Sequence, residues 1–147
     1  ESRGLGDVYK RQAQGKGHIV TNMGLESGEV PYTTFMMRKD TIENEPGFAA
    51  AFVRAIYRAQ KWVWAAGDEE VAYAMQSYFP DTDIATLSAV AKSYRATDSW
   101  TKVPTMTEDA FTRLQDILDG AGELAARIEL SELVDNSFGE AAISEIG

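Results

Sequence analysis

The run from Gly28 to Trp64, GEVPYTTFMMRKDTIENEPGFAAAFVRAIYRAQKWVW, constrains the fold more than any other stretch. Its two ends follow different periods. Val30 to Met37 is rich in β-branched and aromatic residues, with Pro31 at its leading edge, where a proline is tolerated; this predicts a strand. Asp40 or Thr41 is placed to cap a first helical turn. Pro46 suits the first position of a longer helix, because its missing N–H has no partner there anyway. Phe48, Phe52, Ala55, Ile56, Ala59, Trp62 and Val63 then recur at three- and four-residue steps, which predicts one apolar stripe. Gly67 is the expected stop.

Downstream the pattern is helical. Asp68 is a candidate cap for a helix through Phe79, with Val71, Met75 and Tyr78 on its apolar face. Pro80 ends it. Asp81, Thr82 and Asp83 open the next helix, striped by Ile84, Leu87, Val90, Ala91 and Tyr94. Ala96 to Pro104 reads as a loop holding Trp100. Thr107 caps another helix, faced by Phe111, Leu114, Ile117 and Leu118 and ended by Gly120 and Gly122. Met106 and Phe111 have the spacing of a hydrophobic staple. Leu130 to Val134 is a short segment, and Asp135 or Asn136 opens the last helix. Upstream, His18 to Met23 reads as a short strand ending at Gly24. Residues 1–12, ESRGLGDVYKRQ, share no period with the rest of the chain. They resemble a translated sequencing adapter and read as a non-native tail, set aside from fold reasoning. The plainer alternative is a native unstructured tail.

The 147 residues suffice for one ordinary domain with a core, and 44% hydrophobic content with 10% aromatics argues against disorder. The formal net charge is −9. No basic patch of the kind nucleic-acid binders carry is visible, so no nucleic-acid partner is expected. With no cysteine, disulfides, thiolate nucleophiles and cysteine zinc sites are excluded. No apolar run is long enough to span a bilayer.

The sequence offers little for catalysis. His18 is the lone histidine, and no G-x-S-x-G elbow or phosphate-binding glycine loop accompanies it. The acidic pairs Glu69–Glu70, Asp81–Asp83 and Glu108–Asp109 all fall in first helical turns, where they complement the helix dipole. Asp81-Thr82-Asp83 lacks the glycine and distal glutamate of a calcium loop. No catalytic residue, metal or cofactor is expected. Binding is better served. The loop from Asn22 to Thr34 gathers Asn22, Glu26, Ser27, Glu29, Tyr32 and Thr33. Glutamates accept from ring amines or a cation, Tyr32 offers a face for stacking, and hydroxyls with backbone N–H groups hold an anion. The plainer reading is a solvated loop with Tyr32 packed under a helix. Trp62 is expected in the core, Trp64 over a neighbouring loop, and Trp100 packed against the helical layer.

The runs VPYTTFMMRKDTIENEP, FVRAIYRAQKW, SYFPDTD and LVDNSF, in that order, resemble the C-terminal part of ABC-importer substrate-binding proteins. The subgroup serves nitrate, taurine, sulfonates and thiamine-pyrimidine precursors. The resemblance extends from about Gly17 to Ile146. It implies an α/β architecture: the C-terminal part of a two-lobe periplasmic-binding fold, here mostly helical with about two strands. Residues 13–30 would end the second lobe and form the crossing segment, bordering a ligand cleft. Residues 31–147 would be the helix-rich return portion of the first lobe. The resemblance further implies a non-enzymatic protein in the periplasm or on the cell surface as a lipoprotein. Its partners would be a small solute and an ABC permease, its only link to the membrane, and it would be monomeric at full length. The acidic residues of the loop favour a nitrogenous or aromatic solute. Two alternatives stay open: a thiamine-pyrimidine-synthesis enzyme of the same superfamily, using pyridoxal phosphate, and an acidic helical interaction domain.

Overall fold

The computed structural model describes residues 14–18, 20 and 26–147. Among them every regular element is helical: α1 (Lys39–Asn44), α2 (Pro46–Ala65), α3 (Asp68–Gln76), α4 (Ile84–Ala96), α5 (Glu108–Gly120), α6 (Leu130–Leu133) and α7 (Ser137–Ile146). The α/β expectation is therefore corrected. Val30 to Met37 has strand composition but forms no strand, and residues 28–38 take no regular structure. The reason is that a helix closes its own backbone hydrogen bonds, whereas a strand exists only by pairing. Composition alone supplies no ladder, and no second strand is present among the described residues. The other expected strand, His18 to Met23, lies mostly outside the described residues, as do residues 1–12. No described helix is long and apolar enough to cross a membrane.

The chain divides into two compact units. One is built on Trp62–Thr101. Within it α3 and α4 pack against each other. Val71 and Ala72 of α3 are buried with Leu87, Val90 and Ala91 of α4. Asp83 caps α4: its carboxylate accepts from the Thr86 backbone N–H at 2.8 Å and from the Thr86 hydroxyl at 3.1 Å. This cap satisfies a helix N–H that has no partner within the helix. At the other end of α4, Asp98 takes the left-handed conformation at φ 48°. That turn lets the Asp98 N–H reach the Arg95 carbonyl (3.2 Å) and the Ser99 N–H reach the Tyr94 carbonyl (2.8 Å). Asp68 was expected to cap α3. Gly67 occupies that position instead, and Asp68 is the first helical residue. Its carboxylate accepts from Arg95 Nη1 at 2.9 Å, tying the start of α3 to the end of α4, so the two helices run antiparallel. Trp100 lies edge-on to Tyr94 at 5.0 Å, and its carbonyl accepts from the Trp64 indole at 3.2 Å. Trp100 thus packs, and Trp64 covers the loop, as expected.

The second unit contains residues 26–61 and Lys102–Gly147. Its buried residues include Ala49, Tyr57, Ala110, Phe111, Leu130 and Ala142. Thr107 caps α5 by accepting from the Ala110 N–H at 3.2 Å. Gly122, at φ 74°, ends it with the same paired bonds seen after α4: the Gly122 N–H to the Asp119 carbonyl and the Glu123 N–H to the Leu118 carbonyl, both 2.9 Å. Two carboxamides pin the connecting loops. Buried Gln115 donates to the Ile128 carbonyl (3.1 Å) and accepts from the Ile128 N–H (2.9 Å). Asn136 donates to the Met106 carbonyl (2.8 Å) and accepts from the Met106 N–H (3.0 Å). A carboxamide carries both donors and an acceptor on one planar group, so it pairs with backbone as another peptide would. Gly139 of α7 lies so near the Pro104 carbonyl that a Cβ there would sit 2.5 Å from its oxygen.

The stripe assigned to α2 from sequence is only partly realised: Phe52, Ile56 and Val63 are half-buried, whereas Phe48, Ala55, Ala59 and Trp62 are exposed. The buried positions are Ala49 and Tyr57, with Val53 and Gln60 half-buried beside them. Phe48 is 54% exposed and Trp62 40% exposed, so neither belongs to the core. Both faces of α2 are apolar enough to serve, and only packing chooses between them.

Candidate functional site

The described candidate ligand residues, Glu26 to Thr33, lie on one continuous stretch that Arg113 of the second unit holds at Glu29. Glu26 and Ser27 lie in a helical turn, Gly28 is left-handed at φ 78°, and Glu29 to Thr33 have no regular structure. Arg113, projecting from α5, donates from Nη1 to the Glu29 carbonyl at 2.8 Å. Its guanidinium lies 3.1–3.4 Å from where a Cβ of residue 28 would stand. Gly28 therefore serves twice: its positive φ turns the chain, and its missing side chain admits the guanidinium.

Glu26, Ser27, Glu29, Tyr32 and Thr33 are all exposed, with Tyr32 at 92%. The Ser27 hydroxyl donates only to the neighbouring Gly28 carbonyl, at 3.3 Å. Asn22 falls outside the described residues. The stretch thus presents two carboxylates, two hydroxyls and a phenol to solvent, beside one cation. Tyr32 is not packed under a helix. Phe35, further along, lies edge-on to Phe52 of α2 at 5.3 Å and fastens the far end of the segment. Arg113 is the participant that sequence reasoning missed. It lies more than eighty positions away along the chain, and no local period marks it.

Elsewhere the charged groups do structural work. Arg38 grips Asp40 through a two-pronged contact, Nε to Oδ1 at 2.9 Å and Nη2 to Oδ2 at 2.7 Å. The guanidinium holds the Asp40 carboxyl below its usual range. Arg38, not Asp40, occupies the cap position of α1, and no side chain caps it. Arg127 bridges Asp116 (2.7 Å) and Asp119 (3.2 Å) on an exposed face. Asp83 is also held below the usual carboxylate range, chiefly by the Thr86 N–H and then by its hydroxyl. Among the described residues no group of three or more histidine, aspartate or glutamate side chains is arranged to hold a metal ion.

No protein-family model matches the chain, and no solved structure matches it. A curated protein does. The chain is 36% identical over 134 residues to a protein of Bacillus subtilis (strain 168) named "Putative binding protein YtlA". The match takes in 91% of this chain and 40% of that protein. The chain therefore spans about two fifths of the length of the curated relative it matches. The likeness runs through both compact units, and the name it brings is that of a binding protein, without a stated ligand.

Proposed function

We propose that this chain is a portion of an extracytoplasmic protein that binds a small solute and hands it to an ABC importer. The observation that carries this reading is the 36% identity, across 91% of the chain, to a protein named for binding. The importer class rests on the runs VPYTTFMMRKDTIENEP, FVRAIYRAQKW, SYFPDTD and LVDNSF. Such a protein works in the periplasm or at the cell surface, and its macromolecular partner is a permease.

In this reading the stretch from Asn22 to Thr33 supplies one wall of the solute site, and the remainder of the longer protein supplies the rest. Glu26 and Glu29 accept hydrogen bonds from a nitrogenous solute. Tyr32 stacks on an unsaturated ring. Ser27 and Thr33 fix orientation through their hydroxyls, and Asn22 offers both a donor and an acceptor. Arg113 positions the stretch through the Glu29 carbonyl and leaves the Glu29 carboxylate turned outward. The chemistry is recognition and release, with no bond made or broken.

The test is calorimetric titration of a full-length protein carrying this sequence in place of its matched region. The panel is an aminopyrimidine, taurine, an alkanesulfonate and nitrate. One-to-one binding of the aminopyrimidine is expected, weakened at least about tenfold by Glu29→Gln or Tyr32→Ala, a loss of about 1.4 kcal/mol. Binding of sulfonate or nitrate alone would overturn the nitrogenous assignment. Turnover of any panel member would overturn the non-enzymatic one.

A further inference from the structure

Two helices of this chain carry a matching acidic pair in the first turn, Glu69–Glu70 in α3 and Glu108–Asp109 in α5. All four carboxylates suit the positive end of a helix. One turn further on the helices differ. Four residues after the first acid of the pair, α5 has Thr112, whereas α3 has Tyr73, 59% exposed. At about 100° per residue, Glu69, Tyr73 and Glu70 fall in that order within an arc of roughly 100°, opposite buried Val71 and Ala72. The Tyr73 hydroxyl donates to Glu69 Oε1 at 3.5 Å. The turn that follows α3 adds Tyr78 and Phe79, 81% and 52% exposed. The helix dipole accounts for the carboxylates but for none of these three exposed rings. Charge marks the same region. From Trp62 to Ala91 the chain has five acids and no lysine, arginine or histidine. Asp68 pairs with Arg95 and Asp83 caps α4, which leaves Glu69, Glu70 and Asp81. None of these three has an ion-pair partner among the described residues.

We propose that the outward face of α3, with Tyr73 between Glu69 and Glu70 and with Tyr78 and Phe79 beyond, is a docking surface for an arginine-bearing segment of a partner protein. A guanidinium meets both features at once: it pairs with carboxylates and lies over an aromatic ring. Tyrosine and phenylalanine are residues that protein interfaces favour. The carboxylates argue against permanent cover by the chain itself, since burying charge without a partner is costly. They suit reversible docking, in which opposite charge speeds encounter. The surface belongs to the unit built on Trp62–Thr101, and the proposal does not depend on the solute reading.

The probe is a fluorescein-labelled peptide of alternating arginine and glycine, titrated with the 147-residue chain at low salt and followed by anisotropy. Glu69→Gln combined with Glu70→Gln is expected to weaken binding at least about tenfold. Tyr73→Ala is expected to weaken it at least about threefold, and Tyr73→Phe, which keeps the ring, to leave it within about twofold. Glu108→Gln combined with Asp109→Asn removes the same charge from α5 and is expected to change binding less than about twofold. Equal losses from the two acidic pairs overturn the proposal, in favour of net charge alone. Full binding by Tyr73→Ala overturns it, as does the absence of binding by the parent chain. So does loss of binding in a full-length protein carrying this sequence, because the face is then covered by its own chain.

Discussion

The α3–α4 hairpin and the stretch from Glu26 to Arg38 make an instructive pair. Each carries a clear local signal, helical period in the first and β composition in the second. The hairpin realises its signal. Asp83 caps α4, Leu87, Val90 and Ala91 are buried, and Val71 and Ala72 meet them from α3. The stretch does not realise its signal. Tyr32, Phe35 and Met36 are 92%, 72% and 92% exposed, and no strand forms. The difference lies in where the hydrogen-bond partners come from. A helical turn finds them four residues away, and a strand must import them from elsewhere. The same dependence leaves Glu26, Ser27, Glu29, Tyr32 and Thr33 exposed to solvent.

If stability resides in the helical cores and not in the stretch, substitutions should separate by region. The largest loss is expected for Phe111→Ala, which empties a 4%-exposed site: about 3–5 kcal/mol in denaturant unfolding. A loss near zero would mean that α5 is not a core helix. Gly139→Ala should come next, at about 2–3 kcal/mol, because its Cβ meets the Pro104 carbonyl oxygen and Thr105 Cγ2 at 2.5 and 2.8 Å. Asp68→Ala should cost about 1–2 kcal/mol, because it strips the partly buried Arg95 of its ion pair. Two further nitrogens of Arg95, Nε and Nη2, are already buried without partners. Replacing the guanidinium itself by Arg95→Met should therefore cost less than losing its partner, and the reverse order would contradict the assignment.

The hairpin also carries a pH signature. Folding lowers the Asp83 pKa, so the ionised carboxylate is the form that the fold favours. Its stabilisation is full above the unfolded value, about 3.9, and is lost as pH falls through the lower folded value. Asp83→Asn should lower the denaturant midpoint at neutral pH. The gap from the parent should close as acid titrates the parent's carboxylate; a gap independent of pH would remove the capping charge from the account. The smallest effect is expected in the stretch: Tyr32→Ala should change stability by less than about 0.5 kcal/mol. A larger loss would mean that the phenol is packed and not held out for a ligand.

Much of the fold was legible in the residues themselves. Pro46, Asp83 and Thr107 mark helix starts, and Gly122 marks a helix end, because each satisfies or excuses backbone groups within a few residues. Two expected caps fail for one shared reason. Asp40 and Asp68 have the right chemistry, but an arginine takes each carboxylate, Arg38 from next door and Arg95 from the far end of α4. Of the candidate site, the residues from Glu26 to Thr33 are legible as a polar, accessible stretch. Their anchor, Arg113, is not.

By itself, then, the sequence determined where α2, α4 and α5 begin, where α5 ends, which stretch carries the polar candidates, and that cysteine chemistry plays no part. Those are properties of neighbours within a turn or of composition. Tertiary structure alone decided that α2 buries Ala49 and Tyr57 and leaves Phe48 and Trp62 exposed, that Val30 to Met37 forms no strand, and that Arg113 holds the candidate stretch through Glu29. Each of these depends on a surface or a partner distant in sequence. Hydrophobic periodicity says that a face can be buried, but only a packed neighbour selects the face.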